Sequence, residues 1–186
     1  IYGVRALELL KAAGADTHLV ITSSAQITIA QEWSRTPADI SALADITYRV
    51  QDIGAAIASG SFLTSGMLVA PCSIRTLSEI ATGVTSSLLT RAADVMLKER
   101  RRLVLMVRET PLHLGHLRTM VQVTEAGAII MPPMPAFYPF PRRVEGIVDH
   151  TIGRALDLFG NAVSTVRRWS GTAKQHRERK DAIRTR

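Results

Sequence analysis

Apolar positions along the chain fall into short continuous runs separated by segments with helical spacing. From Tyr2 to Ala13, Val4, Leu7 and Leu10 recur at that spacing, and Gly14 follows as a C-cap residue. His18 to Thr22 is a short β-rich run, and Ser23 to about Trp33 is again helical. The alternation returns with Gly66 to Ala70, which stops before Pro71, and with helical patterns near Thr76–Thr82 and Leu88–Arg100. Leu103 to Val107 is apolar at every position, the signature of a parallel strand buried on both faces. A helix from His113 to Ala126 halts at Gly127, Ala128 to Met131 is the last run, and Val144 to Phe159 is the last helix. Strands alternating with helices predict an α/β fold, a parallel sheet covered on both faces, whose ligands bind beyond the carboxyl ends of the strands.

Composition narrows the class. A chain of 186 residues with 46% hydrophobic and 21% charged residues has the length of one domain and the balance of a folded protein. The formal charge of +7 would point to nucleic acid or an anionic surface if it were spread over the fold. It is not: from Arg167 to Arg186 eight basic residues face two acidic ones, leaving about +1 for residues 1–166. The body is nearly neutral, nucleic acid is demoted as a partner, and residues 167–186 are expected to form a disordered basic tail. The single cysteine, Cys72, excludes an intramolecular disulfide and a multi-cysteine metal site and fits a reducing, cytoplasmic setting. No apolar run reaches the ~20 residues of a membrane span, and no signal peptide opens the chain. The chain starts at Ile1 with neither Met nor a capping residue before its first helical pattern, so an N-terminal segment is expected to be missing from this sequence.

The predicted strand ends carry the chemistry. Thr22-Ser23-Ser24 and Pro71-Cys72-Ser73-Ile74-Arg75-Thr76 each place hydroxyls where a helix begins, beside free amides and the positive end of the helix dipole. Ordinary N-capping explains either site alone; two of them on neighbouring strand ends favour a phosphate-bearing ligand. Arg108-Glu109 follows the most apolar strand, where the charges either hold the loop as an ion pair or serve a site. Arg91 and Lys98 lie two turns apart on one helix face, ordinarily a solvated stripe, but placed just before the Arg108 strand. Met131 to Tyr138 is a stiff apolar loop, read equally as a packed connection or as a wall for an apolar ligand with Tyr138 as its polar handle.

Four blocks in order carry a family resemblance. They are Pro71-Cys72-Ser73-Ile74-Arg75-Thr76-Leu77-Ser78; Leu89-Thr90-Arg91-Ala92-Ala93-Asp94-Val95 with Leu97-Lys98-Glu99-Arg100-Arg101; Val107-Arg108-Glu109-Thr110-Pro111-Leu112; and Pro132-Pro133-Met134-Pro135-Ala136-Phe137-Tyr138. From Ile1 to about Phe159 the sequence closely resembles the UbiX/Pad flavin prenyltransferases. The resemblance implies a flavodoxin-like, Rossmann-type three-layer αβα fold, a dodecamer built from trimers, and no metal. It implies a reaction in which reduced FMN is alkylated by dimethylallyl phosphate: flavin N5 bonds to the prenyl C1, phosphate leaves, and a second bond at flavin C6 closes a ring. The prenylated FMN then serves UbiD-type decarboxylases, including the one in ubiquinone synthesis.

Residue by residue, the resemblance implies flavin contacts for Thr22, Ser73, Ile74, Arg75, Thr76 and Arg108. For the prenyl phosphate it implies Lys98, Arg108, Glu109, Tyr138 and Arg154, with a weaker match at Trp169. Glu109 would be the acid that protonates the leaving phosphate, Arg91 matches an active-site arginine, and Glu32 aligns with an acid-base glutamate although Trp33-Ser34 departs from the family's pattern. The family also opens with a strand and a Gly-Ala-Ser loop that cradles the FMN phosphate, whereas this sequence begins just after them. Two rivals share some of these features. An FMN-dependent cysteine decarboxylase has the same fold, but the Asn-containing Pro-Ala-Ser loop and the Pro-x-Met-Asn clamp of that group are absent here. A non-catalytic flavin- or nucleic-acid-binding protein would account for the basic tail.

Overall fold

The computed structural model describes residues 1–32 and 34–160, with Val166, Arg168 and Gly171 beyond them. Among the described residues seven α-helices and five strands follow one another as α1 (Tyr2–Ala12), β1 (His18–Val20), α2 (Ser23–Glu32), α3 (Pro37–Ser41), β2 (Ile46–Tyr48), β3 (Gly66–Cys72), α4 (Ile74–Ala81), α5 (Leu88–Lys98), β4 (Arg102–Val107), α6 (Leu114–Glu125), β5 (Ile129–Ile130) and α7 (Val144–Asp157). All strand pairs are parallel. β1 pairs with β2, and separately β3, β4 and β5 pair in that order; no ladder joins β1 to β3 among the described residues.

The centre is β4. Leu103 to Val107 are all nearly inaccessible, as a strand covered on two faces must be. Leu103, Leu105 and Val107 point into one core with Leu77 and Ile80 of α4, Val95 and Met96 of α5 and Val123 of α6, while Met106 points the other way, into Ala6 and Leu9 of α1 and Val148, Ile152 and Leu156 of α7. The two-residue side-chain period thus builds two cores on one strand, and each fully buried Leu, Met or Ile contributes roughly 1.5–3 kcal/mol. α1 also turns Val4 and Leu7 toward Ile40, Leu19 and Ile21, so one helix joins the β1–β2 layer to the main sheet. A two-pronged ion pair fixes its angle to α7: the Arg5 guanidinium donates to both Asp149 carboxylate oxygens at 2.5 and 3.2 Å, and to Glu8 at 2.9 Å.

Three differences from the sequence expectation stand out. α3 and β2 fill a stretch for which periodicity predicted nothing, because elements of five and three residues are too short to show a period. The first of them is set instead by local chemistry: Thr36 and Asp39 form a reciprocal capping box, with Pro37 at the first helical position. Second, β3 runs through Pro71 to Cys72 rather than stopping at Ala70, with a register shift after Val69 that lets the strand continue past a residue without an N–H. Third, the helix predicted near Thr76 begins at Ile74, because the Ser73 side chain supplies its cap.

Candidate functional site

The register between β3 and β4 creates the site's scaffold. Cys72 stands opposite Val107, and the Arg108 amide donates to the Cys72 carbonyl at 3.2 Å, so the two turns leaving these strands lie side by side. On one, the Ser73 hydroxyl accepts from the Thr76 amide at 3.2 Å and donates to the Thr76 hydroxyl at 3.1 Å. This caps α4 and leaves the amides of Ile74 and Arg75, which a helix cannot use internally, directed out of its N-terminus. On the other, Arg108 is exposed and makes no ion pair among the described residues. Glu109 turns back to accept from the Thr110 amide at 3.1 Å. A hydroxyl, two unengaged amides and a guanidinium on adjacent strand ends are a donor-rich setting for a planar ligand bearing carbonyls or phosphate.

Arg75 is displaced from this arrangement. Its side chain is 81% exposed and its Nε donates to Glu79 at 2.9 Å one turn along α4, holding that carboxyl below the usual range with help from Ser86. Thr22 does at β1 what Ser73 does at β3, its hydroxyl accepting from the Ala25 amide at 3.1 Å. A cleft of about 380 Å³ adjoins it, lined by Ile21, Ser23, Gln26 and residues 47–51. Glu32 ends α2, but its side chain lies outside the described residues, as does Trp169 and all of the 167–186 tail except Arg168 and Gly171.

The residues assigned to the prenyl phosphate do not converge within one chain. Lys98 ends α5 and therefore sits at the amino end of β4, while Glu109 lies past its carboxyl end; six strand residues between them span about 20 Å. The Lys98 amine rests over the Gly60 turn and pairs with Glu99, which it holds below the usual carboxylate range. Arg91, seven residues back, donates to the Ala58 carbonyl at 3.3 Å and to Asp94 at 2.7 Å. Arg154 lies on the opposite face of the sheet, on α7, where it shares Asp157 with Arg168 at 2.9 and 2.7 Å; the two cations, Arg168 foremost, keep Asp157 well ionised. Tyr138, in the loop between β5 and α7, reaches the same helix: its hydroxyl lies 3.0 Å from His150 Nε2, and the rings meet edge to face at 5.3 Å. One chain therefore carries Ser73, Arg108 and Glu109 past the carboxyl ends of β3 and β4, Arg91 and Lys98 on the helix before β4, and Tyr138 and Arg154 at α7.

His150 escaped the sequence reading. The available signal was its spacing of four residues from Arg154, which puts both on one face of a helix. Cys72 is fully buried and burial pushes its thiol up to about 12, so it is a packing residue within the site's scaffold rather than a nucleophile. Among the described residues no three His, Cys, Asp or Glu side chains cluster as a metal site, and no helix is long and apolar enough to cross a membrane.

Comparison with known proteins supplies the remaining step. The flavoprotein family pattern matches residues 1–155. A probable UbiX-like flavin prenyltransferase of Bacillus subtilis is 54% identical over 175 residues, covering 94% of this chain and 86% of the relative, and the flavin prenyltransferase UbiX of Escherichia coli K12 is 51% identical over 174 residues, covering 92% of each. Among solved structures, AnUbiX (PadA1) in complex with FMN and dimethylallyl pyrophosphate superposes with a TM-score of 0.90 at 46% identity, covering 92% of this chain and 91% of that one. A dodecameric FMN-dependent UbiX-like decarboxylase from Escherichia coli O157:H7 gives 0.88 at 45% identity, covering 91% and 92%. The cysteine decarboxylase TvaF, at 15% identity and a TM-score of 0.58, shares the fold alone. The chain belongs to the flavoprotein family and, within it, to the UbiX-like flavin prenyltransferases.

Proposed function

We propose that this chain transfers a dimethylallyl group from dimethylallyl phosphate to N5 and C6 of reduced FMN. The juxtaposition of the capped α4 N-terminus with Arg108 carries the proposal, because it offers hydroxyl, amide and guanidinium donors to a flavin at one sheet edge. When bound, reduced FMN supplies the nucleophilic nitrogen and carbon. The protein's share is to hold the flavin at Ser73, Ile74 and Arg108, to keep cations around the phosphate as its charge grows, and to hand it a proton. Glu109 delivers that proton to the phosphate oxygen that parts from the prenyl carbon, Arg91, Lys98 and Arg154 offset the charge of the departing group, and the Tyr138 hydroxyl donates a hydrogen bond to it.

Arg91 and Lys98 lie at the opposite end of β4 from Glu109, about a strand's length away, so the prenyl-phosphate site is assembled between copies, Lys98 and Arg91 coming from one and Glu109 from another. Two apolar surfaces support self-assembly: Leu114, Leu117 and Val121 form an exposed stripe on α6, and Met134 and Phe137 project from the loop before α7. We place the enzyme in the cytoplasm as a homododecamer, without a metal requirement, handing its prenylated flavin to a UbiD-type decarboxylase. Residues 1–166 would form the flavin prenyltransferase domain and 167–186 a basic tail outside it. Anaerobic incubation with reduced FMN and dimethylallyl phosphate, followed by mass spectrometry of the extracted flavin, tests the activity. A flavin heavier by one prenyl group is expected, and an unmodified flavin from FMN-loaded protein overturns the reading.

A further inference from the structure

We propose that His150 is a positioning residue for Tyr138, donating its Nε2–H to the phenol oxygen so that the Tyr138 hydroxyl proton stays available for the prenyl phosphate. The inference rests on the reading above, in which Tyr138 contacts that phosphate.

His150 is only 7% exposed, in the part of α7 that packs Val148, Ile152 and Ala155 into the core beneath β4. Burying an imidazole there costs desolvation that a leucine would not, and its Nε2 lies 3.0 Å from a phenol that is 40% exposed and belongs to a loop twelve residues earlier. The edge-to-face contact of the rings, at 88° between planes, fixes the phenol's direction as well as its distance. One turn on, four residues along the same helix, stands Arg154. The buried histidine thus ties the hydroxyl to the helix that also carries the guanidinium.

The direction of the hydrogen bond decides what the pair can do. A phenol whose proton points at the imidazole has only lone pairs left, which repel a phosphate oxygen. A phenol that accepts from Nε2–H keeps its own proton to donate, and polarisation by the imidazole strengthens it as a donor. A tyrosine recruited to bind phosphate therefore needs a donor behind it, and His150 is in place to be that donor.

The test measures kcat and KM for dimethylallyl phosphate in the FMN-loaded oligomer of four variants: Tyr138→Phe, His150→Leu, their double, and His150→Gln, whose amide nitrogen takes the place of Nε2. Tyr138→Phe and His150→Leu are each expected to raise KM about tenfold, the double no further, and His150→Gln to stay within about threefold of the unaltered protein, with FMN affinity unchanged throughout. Additive effects, a KM unchanged in His150→Leu, or a glutamine variant no better than leucine overturns the inference while the prenyl-transfer reading stands. An unchanged KM in Tyr138→Phe removes Tyr138 from the phosphate site and overturns the inference along with that assignment. Should His150→Leu fail to retain FMN, His150→Asn replaces it: its amide falls short of the phenol, so a tenfold higher KM supports the donor role and a wild-type KM overturns it.

Discussion

The two halves of the site are built differently. At the ends of β3 and β4, Ser73, Thr76 and Arg108 are fixed by backbone register and a helix cap, and the Arg108 guanidinium is left without an ion pair among the described residues. On α5 and α7, Arg91, Lys98 and Arg154 each sit against a carboxylate of their own helix or its next residue: Asp94, Glu99 and Asp157. In the proposed reading the first arrangement draws on one chain alone. The second consists of cations parked on local partners, half-exposed and divided between α5 and α7, where an isolated ion pair is worth little. In the proposed reading they differ in the number of chains each needs, and that difference can be broken experimentally.

The largest effect should come from disabling the acid. Glu109→Gln keeps the side chain's shape and removes its transferable proton, so turnover should fall about a thousandfold while FMN stays bound. Lys98→Ala should likewise lose turnover and keep FMN. Loss of FMN in either variant would place the residue in the flavin half instead. Coexpressing the two inactive variants sharpens the comparison. If Lys98 and Glu109 belong to different copies, random mixing gives about a quarter of the sites both intact residues and activity returns in that proportion. If one chain supplied both, no site would be whole and the mixture would stay inactive.

The flavin half should respond in the opposite sense. Arg108→Ala removes a charged donor from the half proposed to need one chain alone, so FMN affinity should drop by about tenfold to a hundredfold, read from flavin fluorescence titration. No coexpressed partner variant should rescue it beyond the fraction of unaltered chains. Rescue would mean that Arg108 also reaches across to another copy.

This division explains which parts of the molecule were legible in the sequence. The five apolar residues of β4 announced a doubly covered parallel strand because burial on both faces leaves a one-dimensional trace. Ser73 and Thr76 were legible because a cap is local chemistry, and Arg108 because a charge directly after such a strand must be used or paired. α3 and β2 were too short to carry a period. The separation of Lys98 from Glu109 was invisible for a different reason: only ten residues lie between them in sequence, and only the structure shows that β4 spends most of those residues crossing the sheet. His150 lay hidden because a lone histidine on an amphipathic helix has no pattern until Tyr138 folds over it.

A smaller effect tests whether the α4 turn is a cap first and a ligand contact second. Ser73→Ala deletes the hydroxyl that accepts from the Thr76 amide, which should cost the flavin-free protein about 1 kcal/mol of stability, or a few degrees in melting temperature. If the hydroxyl also serves the flavin, the loss should be larger in the FMN-loaded protein than in the flavin-free one. Equal losses would make Ser73 a purely structural residue.

The smallest expected effect concerns Cys72, one residue before that cap. Burial favours the neutral thiol, and with its pKa pushed up to about 12 the folded protein holds almost no thiolate at pH 8, whereas an unfolded cysteine there is partly ionised. Alkylation by iodoacetamide at pH 8 should therefore be negligible in the folded protein and complete in denaturant. The linkage has a sign: because the folded state binds this proton more tightly, the residue's contribution to stability is intact below the unfolded thiol's range and is lost as pH rises from about 8.5 toward 12. Cys72→Ala leaves prenyl transfer in place if the residue only fills space between β3 and β4, and costs stability in proportion to the small void it opens. Rapid alkylation of folded protein, or loss of turnover in Cys72→Ala with FMN still bound, would instead place a reactive sulfur inside the flavin half and end the claim that hydroxyl, amides and guanidinium complete it.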